Sequence, residues 1–232
     1  MNRHSLAVLI SGTGRNLQAI MAAIASQKIN ADLAVVISNR ADAGGLQRAS
    51  EAGIATEVVP HSDHADRESY DAALAATLQR YQPSWIALAG FMRVLTPGFV
   101  EQYQGRMLNI HPSLLPKYRG LHTHRRALEA GDKQHGASVH FVTPELDGGP
   151  VVLQGSTAIQ STDTEESLAQ RIMQDIELRI YPQALAWATA GRLKLHNNDV
   201  YLDDNRLETP LQLNSLDNMP RRMSEKMSKE RT

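Results

Sequence analysis

The sequence predicts an α/β fold: a mostly parallel, twisted sheet with helices on both faces and an added mixed or antiparallel C-terminal portion. Three observations predict it. Short unbroken apolar runs (SLAVLI, LAVVIS, WIALA) alternate with segments whose apolar residues recur every three or four positions. The first run passes directly into a glycine-rich turn that opens a helix. After Asn109 the alternation stops, and two strand-like runs follow one another across a turn.

Taken in order, Ser5–Ile10 is a buried strand, and Leu17, Ile20, Met21 and Ile24 give Asn16–Ser26 a helical apolar face. Leu33–Ser38 is a second strand. Ala43–Ala52 is a short helix stopped by Gly53. Thr56–Val59 is a third strand, and Asp66–Tyr81 a helix with Tyr70, Leu74, Leu78 and Tyr81 along one side. Trp85–Ala89 and Met107–Ile110 complete a doubly wound, Rossmann-like pattern. Sheets of this kind take ligands beyond the carboxyl ends of their strands, so the loops at Ser11, Gly90 and Asn109 should open on one edge. A proline-rich loop, His111–Gly120, leads to a helix over His124–Ala130 and to strands at Ala137–Val142 and Pro150–Ser156. Thr162–Glu165 has capping-box spacing and should open a long helix carrying Leu168, Ile172, Ile176 and Ile180. Lys194–Leu207 should be a hairpin turning near Asp203–Asn205. One domain is expected over residues 1–211, with a nucleotide-binding half (1–110) and a catalytic half (111–211), followed by a flexible, charged tail from 212 to 232.

Composition narrows the function. Apolar residues make up 42% and charged residues 21% of the 232, and the formal net charge is -1, which provides no global field for nucleic acid or an anionic membrane. The chain has no cysteine, so thiolate nucleophiles and Cys-ligated metals are out. No run approaches the roughly 20 apolar residues of a membrane span, and the N-terminal run lacks a cleavage pattern. A cytoplasmic protein is expected. The Arg67–Tyr81 helix carries enough apolar and aromatic character to allow a homodimer.

Three segments carry chemistry. In SGTGRN, Gly12, Thr13 and Gly14 let an anion approach the backbone at a helix start, with Arg15 and Asn16 beside it. Leu17 stands where a dinucleotide fingerprint needs glycine, and no acid ends the second strand, which favours a mononucleotide phosphate over NAD. Read alone, the segment is equally a tight strand-to-helix turn. In LNIHPS, Asn109 and His111 project from the same side of a strand, and Pro112 keeps His111 extended. An amide able to donate to an oxyanion and an imidazole able to shuttle a proton form a plausible catalytic pair, or an ordinary strand end with a buried histidine. In ELDGGP, Asp147 sits at a loop tip. Beside His111 it would favour the imidazolium; otherwise it is a turn residue. His122 and His124 (HTH) suggest a metal, but no third ligand follows at suitable spacing, and no metal is expected.

The ordered set SGTGRN, GFMRVL (90–95), LNIHPSLLPKYRG, HTH, HGASVHFV (135–142) and ELDGGPVVLQ closely resembles the phosphoribosylglycinamide formyltransferases, of the folate-dependent formyltransferase family. The resemblance runs from about Leu6 to Leu207. It implies a catalytic trio at Asn109, His111 and Asp147, a nucleotide-phosphate loop at Gly12–Asn16, and a ribose-binding Glu177. It implies 10-formyltetrahydrofolate contacts at Arg67, Met92, Arg93, Val94 and Leu95, in addition to Asn109. The substrates would be glycinamide ribonucleotide and 10-formyltetrahydrofolate, with protonated His111 and Asn109 holding the tetrahedral oxyanion. Arg15 and Arg119 depart from the family's usual small hydroxyl residue and proline. The rival readings are a 10-formyltetrahydrofolate hydrolase, which carries an additional N-terminal regulatory domain, a methionyl-tRNA formyltransferase, which adds a basic C-terminal domain, and a non-catalytic nucleotide- or folate-binding module. A first strand near residue 5 and about 25 residues after the hairpin are expected to leave room for neither extra domain.

Overall fold

A computed structural model describes residues 3–218, with side chains to 216. Its centre is an eight-stranded sheet. In chain order the elements that build it are β1 (His4–Ile10), α1 (Arg15–Ala25), β2 (Ala31–Ser38), α2 (Gly44–Glu51), β3 (Thr56–Val58), α3 (Arg67–Tyr81), β4 (Trp85–Leu88), α4 (Pro97–Gln102), β5 (Met107–His111), α5 (Thr123–Glu129), β6 (Gln134–Phe141), β7 (Val151–Ala158), α6 (Glu165–Ile172) and α7 (Leu178–Thr189). A separate antiparallel sheet follows, made of β8 (Leu193–His196), β9 (Asp199–Leu202) and β10 (Asn205–Arg206). β11 (Leu211–Gln212) then returns to the main sheet, whose order is β11-β7-β6-β5-β4-β1-β2-β3.

β1 to β5 pair in parallel, and β6 and β7 continue antiparallel, as the change of pattern after Asn109 predicts. Strand alternation divides the core. Leu6, Val8, Ile10, Leu108 and Ile110 face α1, α2, α6 and α7, while Ala7, Leu9, Ile86, Leu88 and Met107 face α3 and α4. Strand order reverses between β1 and β4, which places a crevice at their carboxyl ends. Asn109 and His111 share the sheet face of Met107. On that face the loop after β5 brings the Tyr118 carbonyl to His111, and the loop after β6 brings Asp147 to it.

Five details differ from the sequence reading. The capping box lies two residues later than expected. Thr164 accepts from Ser167 N–H at 3.2 Å and its own N–H donates to Ser167 Oγ at 2.9 Å. The reason is Asp163, whose carboxylate closes the preceding turn on Gln160 N–H at 2.7 Å and grips Arg171 at 2.5 Å, so the helix starts beyond it. The long helix is broken by a π-helical turn at Met173–Glu177, which rotates the consecutive residues Ile176 and Glu177 both inward. Lys194–Leu207 turns twice, first at Asn197–Asn198 and again at Asp203–Asp204. All four residues have positive φ, which asparagine and aspartate tolerate. The apolar stripe of α3 is not spare surface, because Tyr70, Leu74 and Leu78 are buried in the protein's own core. Finally, order extends past residue 211. Gln212 pairs with Gln154 of β7, Leu213 is buried, and a 3-10 turn covers Leu213–Asn218. Leu213 is an apolar residue in a polar stretch, and its side chain packs at Gly155, where no Cβ stands in the way. The rest of the expected tail, 219–232, lies outside the described residues.

Candidate active site

Asn109, His111 and Asp147 come together. β5 ends in Asn109-Ile110-His111, so the two polar side chains leave the same face. β6 runs antiparallel beside it and sets His140 opposite Asn109. The loop after β6 turns back, helped by Gly149, where a Cβ would lie 1.8 Å from the Phe141 carbonyl oxygen. This brings Asp147, itself at φ 47°, against both histidines. Asp147 Oδ2 lies 3.4 Å from His111 Nδ1, and Oδ1 lies 3.7 Å from His140 Nε2. The Gly120 N–H donates to Asp147 Oδ2 at 2.9 Å.

The second nitrogen of His111, Nε2, lies 2.9 Å from the carbonyl oxygen of Tyr118 and donates to it. Asn109 Nδ2 donates to His140 Nε2 at 3.1 Å, and His140 Nδ1 donates to the Phe141 carbonyl at 2.8 Å. This pattern assigns neutral His140 the Nδ1–H tautomer. It uses one amide hydrogen of Asn109 and leaves the other.

Burial sets the charge of His111. It pushes the imidazole pKa below the usual 6.5, against the upward pull of the Tyr118 carbonyl and the Asp147 carboxylate. The expected stabilisation of the imidazolium by Asp147 is therefore present but outweighed, and the resting ring is neutral near pH 7. Burial also works to raise Asp147, but the proximity of the His140 ring, the hydrogen bond from the Gly120 N–H and the nearby His111 ring hold it below the ordinary carboxylate range. The pair is thus an ionised carboxylate facing a neutral ring, and a proton arriving on Nδ1 finds its acceptor in place.

The glycine loop leads directly into α1. Gly14, at φ 75°, is the N-cap of α1, and a Cβ there would lie 2.7 Å from Gly45 Cα. Gly12, Thr13 and Arg15 are exposed. Asn16 lies in the first turn of α1. It is buried, and its Nδ2 donates to Glu177 Oε2 at 2.8 Å across the π-helical turn, while its Oδ1 has no partner. Burial raises the Glu177 pKa, and the Asn16 bond and the charge of Arg15 lower it in opposition. The sequence segments at Asn16 and Glu177 are therefore joined by a buried hydrogen bond.

The third group lies on the loop after β4 and on α3. Met92 and Val94 are exposed apolar residues, at 67% and 47%, whereas Leu95 is buried. The Arg93 guanidinium stands 5.3 Å over the Tyr70 ring, and its Nε is buried without a partner. Thr96 N–H donates to Asp71 at 2.6 Å, tying this loop to α3, whose first residue is the exposed Arg67. The HTH histidines separate. His122 is exposed at φ 57°, while the His124 ring meets His135 edge-on at 5.2 Å. Among the described residues no three of His, Cys, Asp and Glu form a metal-holding group.

Sequence reasoning missed His140, the Tyr118 carbonyl and the Gly120 N–H. His140 was legible only from the β5–β6 register, which pairs it with Asn109; backbone partners in a loop leave no residue-type signal.

A match to the formyl transferase family spans residues 4–185. The chain is 53% identical over 203 residues to the phosphoribosylglycinamide formyltransferase of Escherichia coli (strain K12), covering 88% of this chain and 95% of that protein. The phosphoribosylglycinamide formyltransferase of Coxiella burnetii has a similar structure, with a TM-score of 0.86 at 48% identity over 91% of this chain and 99% of that one. A formyltetrahydrofolate deformylase of Pseudomonas putida KT2440 shares the fold, with a TM-score of 0.78 at 24% identity over 87% of this chain and 70% of that one.

Proposed function

The chain belongs to the formyl transferase family, and on that premise we propose that its cleft carries the formyl group of 10-formyltetrahydrofolate to the amine of N1-(5-phospho-D-ribosyl)glycinamide. The products are the N-formyl nucleotide and tetrahydrofolate, in de novo purine (IMP) biosynthesis. The observation that carries the assignment of residues is the 3.4 Å approach of Asp147 to His111 beside Asn109.

The neutral substrate amine attacks the formyl carbon. A C–N bond forms and the carbonyl pair moves to oxygen. Asn109 has an amide hydrogen left for that oxyanion, and His111 Nε2–H supplies a second donor once it leaves the Tyr118 carbonyl. Loss of one such donor costs about 3 kcal/mol of transition-state stabilisation. The amine gives up a proton as the tetrahedral intermediate collapses, and the folate N10, whose bond to the formyl carbon breaks, takes one. His111 carries charge transiently in this transfer, and Asp147, already ionised, holds the imidazolium at Nδ1. Placing both substrates in one crevice supplies further acceleration.

Gly12, Thr13, Gly14, Arg15 and Asn16 hold the nucleotide phosphate in this proposal, and Glu177 the ribose. The exposed loop backbone at Gly12 and Thr13, with the exposed Arg15 beside it, supports the phosphate reading. Arg67, Met92, Arg93, Val94 and Leu95, with Asn109, contact the folate; the exposed apolar Met92 and Val94 support it. The proposal extends to a cytoplasmic setting and a homodimer. α3 spends its apolar stripe internally, and sedimentation velocity checks for a species of twice the monomer mass.

The experiment follows 10-formyltetrahydrofolate consumption with and without glycinamide ribonucleotide. Consumption only with the nucleotide is expected. Equal consumption without it would make the protein a hydrolase, and binding of both without turnover would make it a module.

A further inference from the structure

At the carboxyl ends of β1 and β4 the sheet opens. Their last backbone bond runs from Ala89 N–H to the Leu9 carbonyl at 2.8 Å. Beyond it one chain enters the glycine loop and the other enters Gly90–Leu95. A side chain crosses the gap. The Ser11 hydroxyl accepts from Met92 N–H at 2.8 Å and donates to Asn39 Oδ1 at 2.6 Å. A hydroxyl has one hydrogen, so with Met92 N–H on the oxygen the proton must point to Asn39. Asn39, just past β2, is 3% exposed, and its Nδ2 faces His61 Nδ1 at 3.3 Å. The same His61 nitrogen lies 3.1 Å from the Asn39 carbonyl oxygen, so His61 meets both the backbone and the side chain of Asn39.

Side chains anchor the loop at Phe91, buried in the core, and at Arg93, over the Tyr70 ring; the Ser11 bond holds its backbone at Met92. Gly90 sits at φ 75°, and Met92 and Val94 turn outward. Its far end is pinned by Leu95 in the core and by Asp71 on Thr96 N–H. Its near half is pinned at Met92 by Ser11.

We propose that Ser11, oriented by Asn39, is a positioning residue for the formyl-folate: the root of the phosphate loop sets where the folate loop stands. This rests on the reading of Met92–Leu95 as folate contacts. Its consequence is asymmetric. Ser11 adjoins the residues assigned to the nucleotide phosphate, yet its loss falls on the other substrate.

The test compares KM for each substrate in Ser11→Ala, Ser11→Thr, Asn39→Ala and Val94→Asp proteins, each checked for a cooperative thermal transition. Ser11→Ala leaves Met92 N–H and Asn39 Oδ1 without partners, which raises the 10-formyltetrahydrofolate KM about tenfold while the nucleotide KM stays within about twofold. Ser11→Thr restores the hydroxyl and the folate KM. Asn39→Ala raises the folate KM in the same direction, and carries the test if Ser11→Ala does not fold. A Ser11→Ala folate KM within about twofold of wild type, or a nucleotide KM that rises as much, overturns the proposal. Val94→Asp keeps the two readings apart. If it too leaves the folate KM unchanged, the folate assignment of the loop falls; if it raises the folate KM while Ser11→Ala does not, only the role of Ser11 falls.

Discussion

His111 is neutral at rest because burial outweighs the two acceptors that face its nitrogens. Its imidazole should titrate below 6.5 in an NMR pH series, and Asp147→Asn should move it lower still, since removing the carboxylate removes an upward pull. A value above 6.5 would contradict the dominance of burial. Asn109→Ala should lower kcat about a hundredfold with the fold intact, as for loss of an oxyanion donor; steady-state kinetics check it. His135 makes a third prediction. Burial first, then the neighbouring His124, lowers its pKa from 6.5 to about 4. The unfolded chain therefore binds a proton that the folded one refuses, so this site costs nothing above about pH 6.5 and removes stability as pH falls from there toward 4. In His135→Phe the fall of melting temperature over that range should be shallower; an unchanged slope would contradict the assignment. At this scale the sequence showed Asn109 and His111 as a pair, because a period of two fixes their common face. It did not show His140 or Tyr118, because a cross-strand register and a loop carbonyl have no local signature.

Elements placed by periodicity agree with the fold, and those that turn on one side-chain bond shifted. β1, β2, β4 and β5 are legible as apolar runs since both faces are buried. α4 has six residues, too few to display a period, and was not foreseen; its Thr96 cap and Pro97 were the signals available. The start of α6 moved because Asp163 was already engaged by Arg171. Thr164→Ala should therefore cost about 1 kcal/mol of stability in a denaturant titration and leave turnover unchanged. The π-helical turn could not be read from the sequence, since the every-fourth-residue pattern of Leu168, Ile172, Ile176 and Ile180 fits an unbroken helix. Its effect is functional geometry: it turns Glu177 onto Asn16 without losing Ile176 from the core. Glu177→Gln should raise the nucleotide KM several-fold, by about 1 kcal/mol or more, and spare the folate KM.

Across the whole molecule, a doubly wound sheet brings three distant segments to one edge and lets an antiparallel extension supply the carboxylate. The sequence made the sheet and the cleft legible because each depends on patterns repeated over many residues. It misplaced the start of the tail because one buried leucine in a polar stretch is a weak signal against composition. Leu213→Ala should accordingly cost about 2–4 kcal/mol in chemical denaturation, as for a buried leucine, whereas a loose tail would lose nothing. The most direct test of the account is single-turnover formyl transfer by Asp147→Asn enzyme saturated with both substrates. A rate at least about a hundredfold below wild type, with both substrates still bound, is the predicted result; transfer at the wild-type rate would contradict it.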